Sequence, residues 1–358
     1  MITLKAHKQQ LMASYFKKEV TFDQGAPDMT NASACSILNF DPLTDALWAD
    51  KLQTDKETVS GQEFGTKQEI LEQSTKIALK WPQAKPNDLA AMAALVMGAT
   101  TTTQDAALIA YRHVFTPVAV GVALPSMQVE HQNGNIQYKY TGMKGDTFKI
   151  SGKEGGYITL EADLVGSGTR AVSATAFPAS ISEGWMRVAS AKLFRSVNAG
   201  IAIVNPPTDQ GGPNIGVGAT ALGPRVQSFD FDYKNALKPQ VGFGGNDVAQ
   251  DIDFTRRSAD LKMTLIFQDD TEMNNYLSQD AVALELNLKA GAAPIATGGQ
   301  FYYGFDLIIP RCMLKKAALP KGAIKDDLTQ DVEVDIQDDG TNPPVILAVY
   351  TAQAAYLA

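Results

Sequence analysis

Residues 126–166 read SMQVEHQNGNIQYKYTGMKGDTFKISGKEGGYITLEADLVG, and residues 228–270 read SFDFDYKNALKPQVGFGGNDVAQDIDFTRRSADLKMTLIFQDD. Each stretch opens with a short alternating segment, crosses a segment punctuated by glycines and ends in strict two-residue hydrophobic alternation. The apolar positions of the two final segments correspond in order: Ile158, Leu160, Ala162 and Leu164 in the first, and Leu261, Met263, Leu265 and Phe267 in the second.

This alternation predicts half-buried β-strands, because a period of two turns one face of a strand to the core and the other to solvent. The correspondence favours a duplicated β module. Two unrelated β-hairpins would share the same pattern, so that alternative stays open. A duplicated module with sheet edges to be paired is more typical of an assembly component than of a catalyst.

Composition sets the class of the chain. At 358 residues it is long enough for two domains that each have a core. A hydrophobic content of 45% with 20% charged residues is ordinary for a globular protein. The net charge of −8 and the pI near 5.0 argue against a surface that holds nucleic acid, since phosphate binding needs clustered lysine and arginine. They are compatible with a protein that handles DNA without holding it.

Cysteine usage and apolar runs indicate where the chain is made. Cys35 and Cys312 lie far apart in the sequence, so two lone buried thiols and a reducing compartment are expected. The N-terminal residues contain no apolar core of signal-peptide length. The longest apolar runs, such as 89–97 and 118–124, fall far short of the roughly 20 residues that a spanning helix needs. We therefore expect a soluble chain with no standard export signal and no membrane partner.

The chain is predicted to be mainly β, with one short helix in each module. Residues 89–97 form an Ala-rich helix that Asn87-Asp88 can cap and Gly98 ends, and residues 271–279 form a helix with Asp270 or Thr271 as its N-cap. Strands are expected at 70–81, 111–115, 185–194, 281–289, 301–314, 331–337 and 345–352.

Four regions follow from this pattern. Residues 1–33 form an N-terminal arm, 34–204 a first β module, 205–225 a linker rich in Gly and Pro, and 226–358 a second β module. Within the first module, residues 41–67 form a long polar loop. Loops of that length inside compact domains are usually functional or intermolecular.

Catalytic and metal-binding motifs are not found. None of His7, His113 and His131 pairs with another histidine or a cysteine at metal-ligand spacing, and the latter two are expected to be satisfied strand residues. There is no phosphate-binding loop and no nucleophile elbow. Residues 335–342 resemble a calcium loop, but Ile346 stands where the twelfth-position Glu is needed. We expect no catalytic residue, no metal, no cofactor and no enzymatic activity.

Acidic residues recur on the solvent face of the predicted strands. The candidates for functional wet-face acids are Glu161, Asp163, Asp230, Asp232 and Glu333. Simple solvation of a half-exposed antiparallel sheet explains such residues. The functional interpretation is an acidic surface that a polyanion passes without sticking, because like charge raises the cost of close approach. Both interpretations can hold on different strands.

Two segments carry a resemblance to a known family. The run 124–168, LPSMQVEH…YKYTGMKGDTFKIS…YITLEADLVGSG, and the run 226–277, VQSFDFDYKNALKP…DFTRRSADLKMTLIFQDDTEMNNYL, resemble the longer, two-module type of bacteriophage tail tube protein. The resemblance covers about residues 35–358 and consists of strands, glycines and acidic turns. It matches neither the N-terminal arm nor the loop 41–67.

The resemblance implies two related β-sandwich or barrel modules, each flanked by a helix, whose sheets join edge to edge with neighbours into a ring. Three chains would give a ring of pseudo-six-fold symmetry, with six chains as the alternative. Rings would stack through residues 41–67, with Asp45, Trp48 and Phe64 as contact candidates, and through 205–225. The expected place is the virion tail, after synthesis in the bacterial host cytoplasm.

The same resemblance implies the partners. These are other copies of the chain and the terminator, tape measure and distal tail proteins, while double-stranded DNA passes through an acidic lumen without specific binding.

The main alternative is a two-domain β-sandwich binding module: an adhesin, a baseplate protein or a decoration protein. It would expose aromatic patches in loops. Aromatic residues such as Phe229, Phe231 and Tyr350 lie in strand patterns instead. A carbohydrate-active enzyme comes third.

Overall fold

A computed structural model describes residues 13–25, 36–38, 51–54, 68–133, 136–174, 183–216, 218–242, 247–317 and 328–356. The chain is mainly β, as predicted. The helices are α1, Pro86–Met97, and α2, Thr271–Ser278. The strands are β1 Ala13–Lys18, β2 Ser36–Leu38, β3 Lys51–Thr54, β4 Gln68–Glu72, β5 Thr75–Trp81, β6 Gly98–Gln104, β7 Tyr111–Pro117, β8 Met127–Asn133, β9 Ile136–Lys153, β10 Thr159–Gly166, β11 Arg170–Val172, β12 Ala191–Val197, β13 Thr220–Ala221, β14 Val226–Lys234, β15 Leu237–Gln240, β16 Asp251–Phe254, β17 Ser258–Ile266, β18 Val282–Lys289, β19 Gly304–Ala317, β20 Thr329–Ile336 and β21 Ile346–Thr351.

The first of two facing layers is an antiparallel sheet in the order β5-β10-β9-β14-β17-β20-β19. Its strands alternate as the sequence predicts. On β14, for example, Phe229, Phe231 and Tyr233 are buried, while the residues between them are only partly covered. This sheet therefore has one core face and one face toward solvent.

The second layer has the order β13-β12-β18-β19-β21-β7-β6. The 14-residue strand β19 belongs to both layers. Its first half pairs with β18 and β21, and its second half pairs with β20. Phe229 and Met263 of the first sheet line the same small internal cavity as Leu286 and Leu307 of the second. The layers thus form a β-sandwich with one principal core.

Strand β9 extends beyond this sandwich. Its second half pairs with β10 and β14, and its first half pairs with β8 and β11. Strands β1 and β2 continue from β8. Part of the predicted N-terminal arm is therefore a paired strand. The turn after β1 is held by Asp23, whose carboxylate accepts hydrogen bonds from the hydroxyls of Thr141, Ser167 and Thr169.

Helix α1 lies in the core, and all 12 of its residues are buried. The helix begins at Pro86 after Lys85, so the prediction that Asn87-Asp88 caps it was wrong: both residues lie in the first turn. Proline suits this first position because the missing N–H has no intrahelical partner there. At the other end the helix stops at Gly98, as the sequence predicts. Gly98 adopts a positive φ of 83°, which favours glycine at this position.

Helix α2 agrees with the sequence, with Asp270 at its N-cap. The carboxylate of its buried Glu272 forms ion pairs with Arg195 of β12 at 2.7 Å and with Arg225 at 3.2 Å. These contacts tie the helix to β12 and to the turn that precedes β14. Most strand predictions were confirmed with boundaries shifted by a few residues. The predicted strand 70–81 is two strands, and the predicted strand 185–194 begins only at Ala191.

The two similar stretches of the sequence lie side by side in the first sheet. Strand β9 of the first pairs antiparallel with β14 of the second, and Ile150 faces Phe231 at the middle of that ladder. Leu160 pairs with Ile150, and Leu261 pairs with Phe231. Leu160 and Leu261 therefore hold equivalent positions in the two hairpins. Strands from both sides of residues 205–225 mix in both layers, and the division into two modules stays a prediction.

Gly145 is where α1 meets β9. A Cβ there would lie 2.6 Å from Val96 Cγ2 and 3.0 Å from the Val96 Cα, which is backbone of the helix. We expect Gly145→Ala to lower the free energy of unfolding by about 1–3 kcal/mol, because the helix has to shift. Denaturant unfolding measures this. The control is Gly184→Ala, whose Cβ meets nothing within 4 Å; equal stability of the two variants would contradict the contact.

Candidate functional site: the charged face of the first sheet

The solvent side of the first sheet carries rows of charged residues that run across the strands. One row crosses six strands and consists of Lys80, Glu161, Lys149, Asp232, Asp260 and Asp335. A second row consists of Asp230, Lys262, Glu333 and Lys316. Because cross-strand neighbours on one face lie about 5 Å apart, the charges along each row interact. We call this surface, formed by β5, β10, β9, β14, β17, β20 and the end of β19, the charged face.

All five acids that the sequence singles out lie on the charged face. Asp163 is exposed, and Glu161, Asp230, Asp232 and Glu333 are half-buried. The structure thus brings together residues that lie up to about 170 positions apart in the sequence. Whether this face lines a lumen remains a prediction.

Lysines accompany most of these acids. The ion pairs are Lys80–Glu161 at 2.6 Å, Lys149–Asp230 at 2.9 Å, Lys234–Asp232 at 2.8 Å and Lys316–Glu333 at 3.5 Å. Asp163 differs, since its carboxylate accepts a hydrogen bond from the Thr147 hydroxyl at 2.7 Å. The surface is therefore charge-paired, with carboxylates in slight excess among the described residues.

The neighbouring carboxylates raise the pKa values of two of these lysines. The hydrogen bond to Asp230 is the largest cause of a raised pKa at Lys149, with further raising by the charges of Glu161 and Asp232. Lys234 likewise has a raised pKa, first because of its hydrogen bond to Asp232. Both side chains are thus held in their charged form. Sequence reasoning overlooked these lysines, although they alternate in the same strands as the acids.

The charged face is open in its middle and covered at one end. An open groove of about 490 Å³ runs over it, with Lys153, Asp230, Lys262 and Glu333 among its walls. At the covered end, the hairpin of β15 and β16 packs Ile252 against Val165 of β10. Among the residues that the structure describes, nothing covers the middle of the face as this hairpin covers its end.

Asp45, Trp48 and Phe64, the candidates for contacts between rings, lie outside the described residues. Within the loop 41–67, only Lys51–Thr54 is described, as strand β3 paired with β4.

The segment 205–216, part of the predicted linker, is anchored on the outer side of the second sheet. The backbone N–H of Asn214 donates to Glu285 Oε2 at 2.5 Å and its side-chain amide donates to Glu285 Oε1 at 2.7 Å. Arg112 of β7 donates to the carbonyl of Pro207. With Ile215 buried against Ile308 and Tyr350, this segment closes the outer face of the second sheet.

Two carboxylates are buried beneath this segment. Asp306 of β19 accepts hydrogen bonds from Asn287 Nδ2 and, at 2.7 Å, from the Tyr350 hydroxyl. Burial raises the pKa of Asp306 well above its usual range, and the nearby Glu285 raises it further. Burial also raises the pKa of Glu285 to about 7, and the hydrogen bonds from Asn214 oppose this only in part. Both carboxyl groups therefore hold a proton more strongly than exposed carboxyl groups do.

We expect a pH-dependent stability from Glu285. Between its unfolded pKa near 4.5 and its folded pKa of about 7, the folded chain keeps a proton that the unfolded chain has lost. Stability therefore falls as pH rises through this window, by up to about 3 kcal/mol, and levels off above it. Glu285→Gln removes this titration, so its unfolding free energy should vary less between pH 5 and pH 7.5. Equal pH slopes for the two proteins would contradict the assignment.

The histidines within the described residues lie in strands. His113 is buried on β7, where its ring nitrogens contact the Thr102 hydroxyl and the carbonyl of Gln353, and burial lowers its pKa to about 4. His131 lies in β8. Within the described ranges no group of His, Cys, Asp and Glu could hold a metal ion. No helix among those residues is long and apolar enough to cross a membrane.

Comparisons with known proteins complete the description. A family model described as "Phage tail tube protein" matches residues 11–336. The match includes both segments on which the resemblance rests, 124–168 and 226–277, and nearly the whole chain. A comparison with curated proteins found no match.

Proposed function

The chain belongs to the phage tail tube protein family, and on this premise we propose that it assembles into closed rings, that the rings stack into the tail tube, and that the tube conducts double-stranded DNA into the host. As a member of the family it is a structural protein of the virion tail. The observation that carries the proposal is the difference between the two sheets: the first has a charged, open face, and the second is covered on both sides over its central strands β18 and β21.

The first sheet suits the wall of a channel. Its inner side packs in the sandwich core, so only the charged face can be turned toward water. The central strands of the second sheet offer no such face, because segment 205–216 and the residues around Phe301 cover their outer side. Its strands β18 and β21 are buried almost throughout, as expected for strands covered on both faces. We propose that the charged face lines the lumen.

Free strand edges supply the contacts within a ring. Among the described strands, β5 pairs only with β10, and β6 pairs only with β7. An unpaired edge exposes a row of backbone N–H and C=O groups that a neighbouring copy can satisfy. In β6 the threonines from Thr100 to Thr103 are exposed, and no proline or charged residue among them blocks such pairing. A ring that closes through these edges leaves none of them free.

The arrangement of the two hairpins bears on the number of chains. Each chain contributes β9–β10 and β14–β17 side by side, so three chains would place six similar hairpins around the lumen. We propose a ring of three chains with pseudo-six-fold symmetry, and six chains remain the alternative.

We further propose that Asp45, Trp48 and Phe64 in the loop 41–67, together with 205–225, contact the next ring. The terminator, tape measure and distal tail proteins are the proposed partners at the tube ends and inside it.

The assembly proposal is tested by negative-stain electron microscopy of the purified chain over a range of concentrations. We expect hollow rings or stacked tubes, because edge pairing and ring stacking are heterologous contacts that repeat. End-on views give the symmetry and separate three chains from six. Compact particles at every concentration, also after addition of a tail-tip initiator complex, would favour the two-domain binding module.

The role of the acids is tested by charge reversal. We expect Asp230→Lys, Asp232→Lys and Glu333→Lys, introduced together into the phage, to leave the tubes intact and to slow DNA ejection about tenfold or more, since several unpaired cations bind phosphates. Ejection is followed in single particles with a fluorescent DNA dye. Asp270→Lys, at the exposed start of α2, is the control for an added lysine elsewhere. Unchanged infectivity and ejection in the triple variant would refute the electrostatic claim.

A further inference from the structure

The charged face contains lysines that an electrostatic barrier to DNA does not need. A surface that only had to repel phosphates would carry acids alone, and unpaired lysines would bind phosphates and release counterions. Four lysines nevertheless lie within 3.5 Å of a carboxylate on this face. One exposed ion pair by itself contributes little to folding stability, so the lysines have to be explained by the set of carboxylates around them.

Cross-strand repulsion supplies the reason for the lysines. Where carboxylates face each other directly on neighbouring strands, as Asp232, Asp260 and Asp335 do, like charges destabilise the pairing. Lys149 lies between Glu161 on one side and Asp232 on the other, and Lys262 lies between Asp230 and Glu333. The lysines thus allow a continuous sheet to present acids on β10, β14, β17 and β20.

We propose that the carboxylates of the charged face act mainly by occupying these lysines, so that the face has low affinity for the phosphates of passing DNA without being strongly repulsive. This inference rests on the proposed function, because it takes the charged face as the surface that DNA passes. It assigns unequal roles to acids of the same strand: Glu161 neutralises a lysine, whereas Asp163 does not. A simply acidic lumen would make these two acids equivalent.

Glu161 and Asp163 form a matched pair for the test. Both lie on β10, two residues apart, on the same face. Glu161 contacts Lys80 Nζ at 2.6 Å and faces Lys149 across the strands, while Asp163 contacts the Thr147 hydroxyl and forms no ion pair within 4.0 Å among the described residues. Glu161→Gln and Asp163→Asn each remove one negative charge and keep the size of the side chain.

The experiment measures binding of a fluorescent double-stranded DNA fragment to the purified full-length chain, by anisotropy over a range of salt concentrations. We expect Glu161→Gln to bind about fivefold more tightly at low salt than the original protein. Its plot of log K against log salt should be steeper by about 0.9 for each lysine released. Asp163→Asn should stay within about twofold of the original protein.

A second variant assigns the effect to the lysine. Glu161→Gln combined with Lys80→Gln should return the affinity to that of the original protein, because no unpaired cation remains at that position. Equal gains in Glu161→Gln and Asp163→Asn would overturn the proposal and leave net charge as the only determinant. No gain in Glu161→Gln, in a protein with unchanged thermal unfolding, would overturn it as well.

Failure of this inference can be told from failure of the proposed function. DNA binding is measured on the unassembled chain, where the charged face is open, whereas ring and tube formation is judged by microscopy. Rings without a difference between the two variants would reject the charge-pairing inference alone. The expected difference without rings or tubes would reject the tube function and leave the charge pairing as a property of the face.

Discussion

The close approach of helix α1 to strand β9 at Gly145 is the contact on which the fold depends. Because no side chain stands there, the backbone of α1 near Val96 lies directly on the strand. The buried Asn235 locks this approach, since its side-chain amide donates to the carbonyls of Val96 at 2.7 Å and Gly145 at 2.9 Å. Strand β9 then has β10 on one side and β14 on the other, so the helix, both hairpins and the first sheet are fixed together.

This core determines the chemistry of the outer surface. With Phe148, Ile150 and Phe231 turned toward the helix and the second sheet, the alternate residues of every strand have to face water. Polar residues at those positions follow from burial alone. Burial does not explain why these residues are charges of both signs in register across six strands, because threonine or serine would be solvated equally well. The cross-strand register is therefore the part of the pattern that requires a functional explanation.

The sequence predicts what depends on neighbours along the chain and misses what depends on neighbours across strands. Alternation located β10, β14 and β20 and assigned Glu161, Asp230 and Glu333 to their outer faces. It could not predict that Lys316 would lie beside Glu333 or Lys149 beside Asp230, because register is set by turn lengths and by the irregularity between Leu314 and Lys316. The Gly- and Pro-rich residues 205–216 resemble a linker in the sequence because the residue that anchors them is also remote along the chain. Their anchor, Glu285, lies about 70 positions away in an apolar strand.

The closed outer side of the second sheet constrains how copies can assemble. Glu285 and Asp306 are buried there with hydrogen-bond partners, and exposing them would require segment 205–216 to leave the sheet. Among the described parts of the two sheets, a neighbouring copy beside the chain therefore meets either a strand edge or the charged face. Stacking of two charged faces would have to desolvate several ion pairs at once, which costs more than it returns unless the geometry is ideal. Edge pairing desolvates only backbone groups that gain partners, so assembly through the edges leaves the charged face in water, where a channel needs it.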